Sequence, residues 1–197
     1  MVNKSLLVFC LSLLLAANAQ ALTFTEATDF PGSTSFGAGA FTVGTLDLGT
    51  NRISGTLSSE CVAGTFACNM VPGTDSQDSF LLQIDQNTRI DTLFVSTSNV
   101  TGPTGFSSSF DLRDASTILV SEPDMAINGT TGNLLDSALG AGLYSLSLIG
   151  RQALGAGLYT LDWSVEVNAS PVPIPAAIWL FGTGLLGLFG VSKYKKT

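Results

Sequence analysis

The sequence predicts an all-β protein whose body is a single antiparallel β-sandwich of the jelly-roll-like kind. Apolar and polar residues alternate over short runs, and glycine, asparagine and aspartate residues bound these runs. A body of about 150 residues is large enough for one domain with one hydrophobic core. A sandwich is the expected arrangement because two sheets can bury each other's apolar faces.

The first 21 residues have the pattern of a secretory signal peptide. Lys4 supplies the positive charge, an apolar segment follows, and Ala19-Gln20-Ala21 is a small-x-small cleavage site. We expect an N-terminal signal helix, 1–21, that is removed after Ala21. The body, 22–168, is then expected outside the cytoplasm.

The body contains about eight predicted strands, at the spacing typical of a sandwich. Gly49-Thr50-Asn51 and Asp85-Gln86-Asn87 each predict the turn of a hairpin, since alternating apolar residues lie on both sides. Further strands are predicted at 106–112, 118–120, 143–149 and 158–167. The segment ALGAGLY occurs at 138–144 and again at 153–159, which indicates a local duplication of a glycine turn plus a strand.

The charge pattern excludes several classes of function. The body has four arginines against all fifteen acidic residues, which gives −11, and the chain has no histidine. Such a surface repels nucleic acid and anionic lipid, and the histidine-dependent catalytic triads are excluded. Asp75 with Asp78, and Asp111 with Asp114, are candidate acid–base pairs or, if their strands are neighbours, calcium ligands. Fifteen acids form such pairs by chance, so we expect a non-enzymatic body that needs no cofactor.

Cys61 and Cys68 form a lone pair in the segment CVAGTFAC. Outside the cytoplasm we expect a disulfide, which the chain-entropy argument values at about 2 to 3 kcal/mol. The alternative, a metal pair, lacks any histidine and has the wrong spacing for a closed zinc site.

The C-terminal end predicts a membrane segment. Ala169 to Pro175 is expected to be a proline-rich extended linker that carries the sorting motif. The segment 176–192 is expected to form a transmembrane helix, although its apolar run from Ala176 to Val191 spans only about 24 Å against a hydrocarbon core of about 30 Å. Lys193, Lys195 and Lys196 lie in the basic tail, 193–197, and are expected to hold this end in the cytoplasm.

The tail VPIPAAIWLFGTGLLGLFG resembles the PEP-CTERM sorting signal. Pro-Ile-Pro stands where the family has Pro-Glu-Pro. The matching residues are Val172, Pro173, Ile174, Pro175, Ala176, Ala177, Trp179, Leu180, Phe181 and Gly182. The resemblance implies a Gram-negative precursor that a membrane helix holds until an exosortase cuts near the prolines. It also implies release to the cell surface or to the extracellular polysaccharide of a biofilm matrix.

The body itself is similar, at low information, to bacterial pre-peptidase C-terminal domains. The similarity rests on DSFLLQI at 78–84, FSSSFDLRD at 106–114 and GLYTL at 157–161. The similarity implies a β-sandwich fold, and it does not indicate an activity.

Two classes of function remain. The first is a non-enzymatic surface or matrix protein with a structural or adhesive role. The alternative is a secreted carbohydrate-binding module or hydrolase that shares the tail. A binding module presents an exposed aromatic platform, whereas Trp163, Tyr144 and Tyr159 lie in apolar strands that are expected to form the core.

Overall fold

The computed structural model describes residues 22–26, 30, 41–61, 75–102, 106–125, 128–152, 155–173 and 180–184. The strands are β1 (Thr23–Thr25), β2 (Thr42–Thr45), β3 (Gly49–Cys61), β4 (Gln77–Ile84), β5 (Thr88–Thr101), β6 (Ser107–Arg113), β7 (Ile118–Met125), β8 (Gly129–Thr130), β9 (Gly142–Gln152) and β10 (Gly157–Pro171). The all-β prediction is therefore confirmed for the described part of the body.

The strands form two five-stranded sheets. The first sheet has the order β1-β3-β10-β5-β8, and the second has the order β2-β4-β9-β6-β7. Both sheets are mixed, because β1 runs parallel to β3 and β2 runs parallel to β4. The prediction of purely antiparallel sheets was wrong at these two edges. A chain that reverses at each turn and also changes sheet brings strands i and i+2 into one sheet in the same direction.

The two predicted hairpins are wrong for the same reason. Gly49-Thr50-Asn51 are the first residues of β3 rather than a turn, and residues 46–48 join β2 to β3. Asp85-Gln86-Asn87 does join β4 to β5, and in each case the two joined strands belong to different sheets. Turn-forming residues mark where a chain reverses, but they do not decide whether the next strand pairs with the previous one or crosses to the opposite sheet.

The internal repeat corresponds to the centres of the two sheets. Its first copy leads into β9, the middle strand of the second sheet, and its second copy ends in β10, the middle strand of the first. Each middle strand pairs antiparallel on both sides. The duplicated segment therefore supplies the strand around which each sheet is built.

Aromatic residues join the two sheets through the core. Phe80 of β4 stacks with Trp163 of β10 at a centroid distance of 5.8 Å, and Phe106 stacks with Tyr159 at 4.3 Å. Trp163 is 2% exposed and Tyr159 is 0% exposed, whereas Tyr144 is half-buried against the same core. The prediction that these aromatic residues belong to the core is confirmed.

Strand β10 includes residues that the sequence assigned to the linker. Ala169 is buried, Ser170 and Pro171 pair with Arg89 and Thr88, and the Val172 amide donates to the Asn87 carbonyl at 2.9 Å. The body thus continues up to the first residue of the sorting motif.

Little of the predicted terminal helices falls in the described residues. Residues 180–184 are helical, and the predicted signal helix lies outside the described residues. Within the part of the chain that the structure describes, no helix has the length and apolar character that a membrane crossing requires.

Candidate functional site

The outer face of the first sheet carries a polar groove of about 420 Å³. This volume lies within the range of about 300–1,000 Å³ that is common for small-molecule sites. Its lining includes Thr25, Glu26, Arg52, Ser54, Ser98 and Asp162. We refer to it as the β3–β10 groove.

Strand alternation places these side chains in the groove. On β3, Ile53 and Leu57 point into the core, so Arg52 and Ser54 point outward. On β10, Trp163 and Val165 are buried, so Asp162 and Ser164 point outward. The register sets Ser54 opposite Ser164, and Ser164 opposite Ser96 of β5. A row of hydroxyl groups therefore crosses the sheet.

Beneath the groove, on the core side of the first sheet, a glycine lies against an aromatic ring. Gly55 lies opposite Trp163, and a Cβ atom on Gly55 would lie 2.6 Å from Cζ2 of the indole and also clash with the Glu26 carboxylate. Only glycine lets the indole lie across β3 at this point.

Glu26 forms one wall of the groove and is held by two backbone groups. Its Oε1 accepts from the Phe30 amide at 2.6 Å, and its Oε2 accepts from the Thr56 amide at 3.1 Å. The Glu26 amide donates to the Ser54 carbonyl at 2.9 Å, directly after β1 ends. The carboxylate therefore accepts a hydrogen bond from the edge of β3 at the point where β1 has ended. Its two hydrogen bonds fix its position.

Asp162 forms the opposite wall next to a bulge between β10 and β5. The register shifts between Thr160 and Asp162, and Asn99 has a φ of 51° there. Nδ2 of Asn99 donates to Oδ2 of Asp162 at 2.6 Å. Bulges change the direction in which nearby side chains point, and this bulge places the carboxylate of Asp162 beside the side-chain amide of Asn99 on β5.

Arg52 is the cationic group of the groove. Its Nη2 donates to Oγ of Ser164 at 3.2 Å. Arg89 pairs with Asp91 at 2.8 Å and Arg113 pairs with Asp111 at 3.3 Å, whereas within the described ranges Arg52 forms no ion pair. The guanidinium therefore retains hydrogen-bond donors that face the groove.

The acidic residues that the sequence singled out do not come together. Asp78 is 0% exposed and points into the core, while Asp111 is on the outer face of the second sheet and accepts from Ser121 at 2.7 Å. Asp114 accepts 2.7 Å bonds from the Ser116 and Thr117 amides, and these bonds lower the pKa of Asp114. Asp78, Asp111 and Asp114 therefore do not form the joint site that calcium binding would have needed, and the described residues contain no acidic, cysteine or histidine cluster that could hold a metal ion.

Asp75 and Asp78 lie near a buried phenol rather than in a cleft. Burial, with smaller effects of the charges on Asp75 and Asp78, raises the pKa of Tyr159, and a hydrogen bond with Ser59 acts in the opposite direction. Since Asp78 is fully buried and bonded to the Trp163 indole, it cannot reach a dissolved substrate.

Some of the sorting-motif residues are described, and these are exposed. Val172 is 41% exposed, and Leu180 and Phe181 are 72% and 70% exposed. Pro173 and Gly182 are exposed as well. The other residues that the sequence predicts for cleavage, sorting, the disulfide and the basic tail lie outside the described residues, namely Ala19, Ala21, Cys68, Ile174, Pro175, Ala176, Ala177, Trp179, Lys193, Lys195 and Lys196. Cys61 is the last residue of β3, and Cys68 lies outside the described residues. The disulfide between them therefore stays a prediction.

Sequence reasoning did not single out Glu26, Arg52 or Asp162 as site residues. They are far apart in the chain, and no motif spacing connects them. They come together because β1 pairs parallel with β3, and β3 pairs antiparallel with β10. The available signal was the outward alternation of serine and threonine along β3, β5 and β10. Comparison with models of known protein families and with curated proteins gives no match to this chain.

Proposed function

We propose that this chain is the precursor of a non-enzymatic bacterial surface or matrix protein, exported through its signal peptide and processed at its C-terminal tail by an exosortase. The proposed destination is the cell surface or the extracellular polysaccharide of a Gram-negative bacterium. The proposed role of the β body is structural or adhesive. The proposed disulfide between Cys61 and Cys68 belongs to the same extracellular setting.

The observation that carries the proposal is the way the tail leaves the body. The last hydrogen bond that anchors β10 involves the Val172 amide, and Pro173 follows at once and is exposed. Proline cannot extend the ladder as a donor, so the body ends where the sorting motif begins. A processing enzyme at the membrane can therefore reach Pro173 without unfolding the sandwich.

The contacts of the acidic residues support a non-enzymatic role. Glu26 is bonded to two backbone amides, Asp162 to Asn99, and Asp78 to the indole in the core. Each of these carboxylates thus has a structural partner within the protein, which favours a structural role for it. Because Glu26 and Asp162 of the β3–β10 groove are both held in this way, the groove favours the carbohydrate-binding alternative over the hydrolase alternative.

The test is mass spectrometry of the protein from a bacterium that has an exosortase. We expect the surface form to lack 1–21 and every residue from Ala176 onward. The double variant Pro173→Ala with Pro175→Ala should keep its lysine tail and stay in the membrane fraction. Pro171→Ala is the matched control, because Pro171 lies in β10 opposite Thr88 and outside the motif. A surface form with Lys195 and Lys196 intact would contradict the proposal.

A further inference from the structure

We propose that the β3–β10 groove binds a neutral saccharide. This inference rests on the proposed extracellular function and adds to it a ligand class and a site. Three features of the groove carry it: its mixture of donors and acceptors, the uncompensated guanidinium of Arg52, and the acidic surface around it.

The hydrogen-bonding groups of the groove match those of a sugar. Each sugar hydroxyl is both a donor and an acceptor, and a site for it needs both kinds of group. The walls supply acceptors in the carboxylates of Glu26 and Asp162, a donor in Arg52, and groups of both kinds in hydroxyls such as Ser54 and Ser98. The two carboxylates are already held by neighbouring groups, so their remaining lone pairs have fixed directions.

Arg52 is an exposed cation of the groove with donors available to a ligand. It contacts Ser164 with one nitrogen, and its other donors face the groove. Glu166 lies opposite Arg52 on β10, yet no ion pair between them is found in the described part of the chain. A planar guanidinium with free donors is suited to bidentate contact with a pair of adjacent ligand oxygens.

An aromatic side chain lies beside the groove on the same face. Phe94 is outward-facing and half-buried on β5, opposite Glu166, between the buried residues Leu93 and Val95. Arg52, Glu166 and Phe94 thus form one row across three strands. The C–H face of a sugar ring can pack on such an apolar group while its hydroxyls reach the groove.

The charge of the surroundings selects a neutral ligand. The body carries four arginines against fifteen acidic residues. The groove itself has two carboxylates against one guanidinium. A polyuronate would meet repulsion from both, whereas an uncharged saccharide would meet neither.

The experiment uses the full chain, purified in detergent, and measures its retardation in native gels that contain dextran, mannan or galactan, with alginate as the polyuronate. We expect retardation by at least one neutral polysaccharide and none by alginate. Arg52→Ala removes a charged donor and should weaken the interaction about tenfold or more. Ser98→Ile fills the groove from an exposed strand position and should abolish the retardation.

Matched controls separate the site from general damage. Arg89→Ala removes another outward arginine of the first sheet, one that bonds Ser170 and pairs with Asp91. Thr92→Ile adds the same side chain as Ser98→Ile on the same strand, but outside the groove. Both controls should bind like the unmodified protein.

Three outcomes would overturn the proposal: no retardation by any neutral polysaccharide, equal retardation of the Arg52→Ala or Ser98→Ile protein, or a preference for alginate. The result is independent of sorting. Normal tail processing without saccharide binding would refute the groove alone, and binding without processing would refute the proposed function alone.

Discussion

The indole Nε1 of Trp163 donates a 2.5 Å hydrogen bond to Oδ2 of Asp78, and this bond connects the two sheets through the core. Trp163 belongs to the middle strand of the first sheet and Asp78 to β4 of the second. A fully buried carboxylate is costly unless its polar partners are in place. The bond therefore specifies how the two sheets face each other, in addition to holding them together.

Replacing one member of this pair should destabilise the body. Trp163→Phe keeps an aromatic ring against Phe80 but removes the donor to Asp78, and we expect a loss of about 1–3 kcal/mol in the free energy of unfolding. Urea denaturation of the full chain measures the loss. Asp85→Asn, at an exposed turn, is the control and should change stability by less than about 0.5 kcal/mol.

The double variant Trp163→Phe with Asp78→Leu should be less destabilised than the sum of the two single variants. Both polar partners are then absent, and no buried group is left without its partner from this bond. Strict additivity of the two losses would show that the hydrogen bond does not couple the sheets.

Gly55→Ala should destabilise the first sheet. The added methyl group would lie 2.6 Å from the Trp163 ring and against the Glu26 carboxylate, so the indole or β3 must shift. We expect a cost of about 1–3 kcal/mol, measured by thermal or urea unfolding. Gly140→Ala adds the same methyl group where no atom lies within 4 Å, and it should be close to neutral. Equal stability of the two variants would rule out the close packing at Gly55.

Stability should fall at alkaline pH because of Tyr159. Burial raises the pKa of its phenol, so above the unfolded pKa of about 10 the unfolded chain releases a proton that the folded chain retains. The stabilising contribution is complete below that pH and is lost as the pH rises toward the folded pKa. Unfolding measured between about pH 8 and 11 should show the fall, and Tyr159→Phe should flatten it. Tyr144→Phe, at a half-buried phenol whose pKa burial also raises, should flatten it less. An unchanged slope in Tyr159→Phe would contradict the assignment.

Glu26→Ala should expose the edge of β3 to other chains. The Glu26 carboxylate accepts from the Thr56 amide where β1 ends, and the Ser58 amide next along the edge donates to the Asp75 carbonyl at 2.8 Å. Removal of the carboxylate leaves the amides of Phe30 and Thr56 without this acceptor, and uncovered edges promote association. We expect light scattering to show oligomers and unfolding to show a loss of about 1–2 kcal/mol. Glu60→Ala, an exposed carboxylate on the same strand, should remain like the unmodified protein.

Strand positions could be predicted from the sequence, and strand partners could not. The apolar runs at 106–112, 143–149 and 158–167 correspond to β6, β9 and β10, because alternation reports directly on burial. Pairing depends on which sheet a turn leads to. The turn formers at 49–51 lie at the start of β3, and those at 85–87 lie in a turn, yet the connections at both places cross between sheets.

The candidate site was harder to predict than the fold. Asp78 was considered for its charge, but its hydrogen bond to an indole 85 positions along the chain decides its role. Glu26 and Arg52 look like ordinary surface residues until the parallel pairing of β1 with β3 brings both of them to the same groove. Long-range pairing, and not local composition, creates the groove.

The middle of the first sheet is supplied by β10, the last strand of the body to be synthesised. A nascent chain that stops before Gly157 contains β3 and β5 but has nothing to place between them. The edges of β3 and β5 that pair with β10 in the folded protein remain open in such a chain. The contacts that β10 makes with these two strands are distant in sequence and cannot form until β10 has been synthesised. We therefore expect the first sheet to be completed only after β10 has been synthesised.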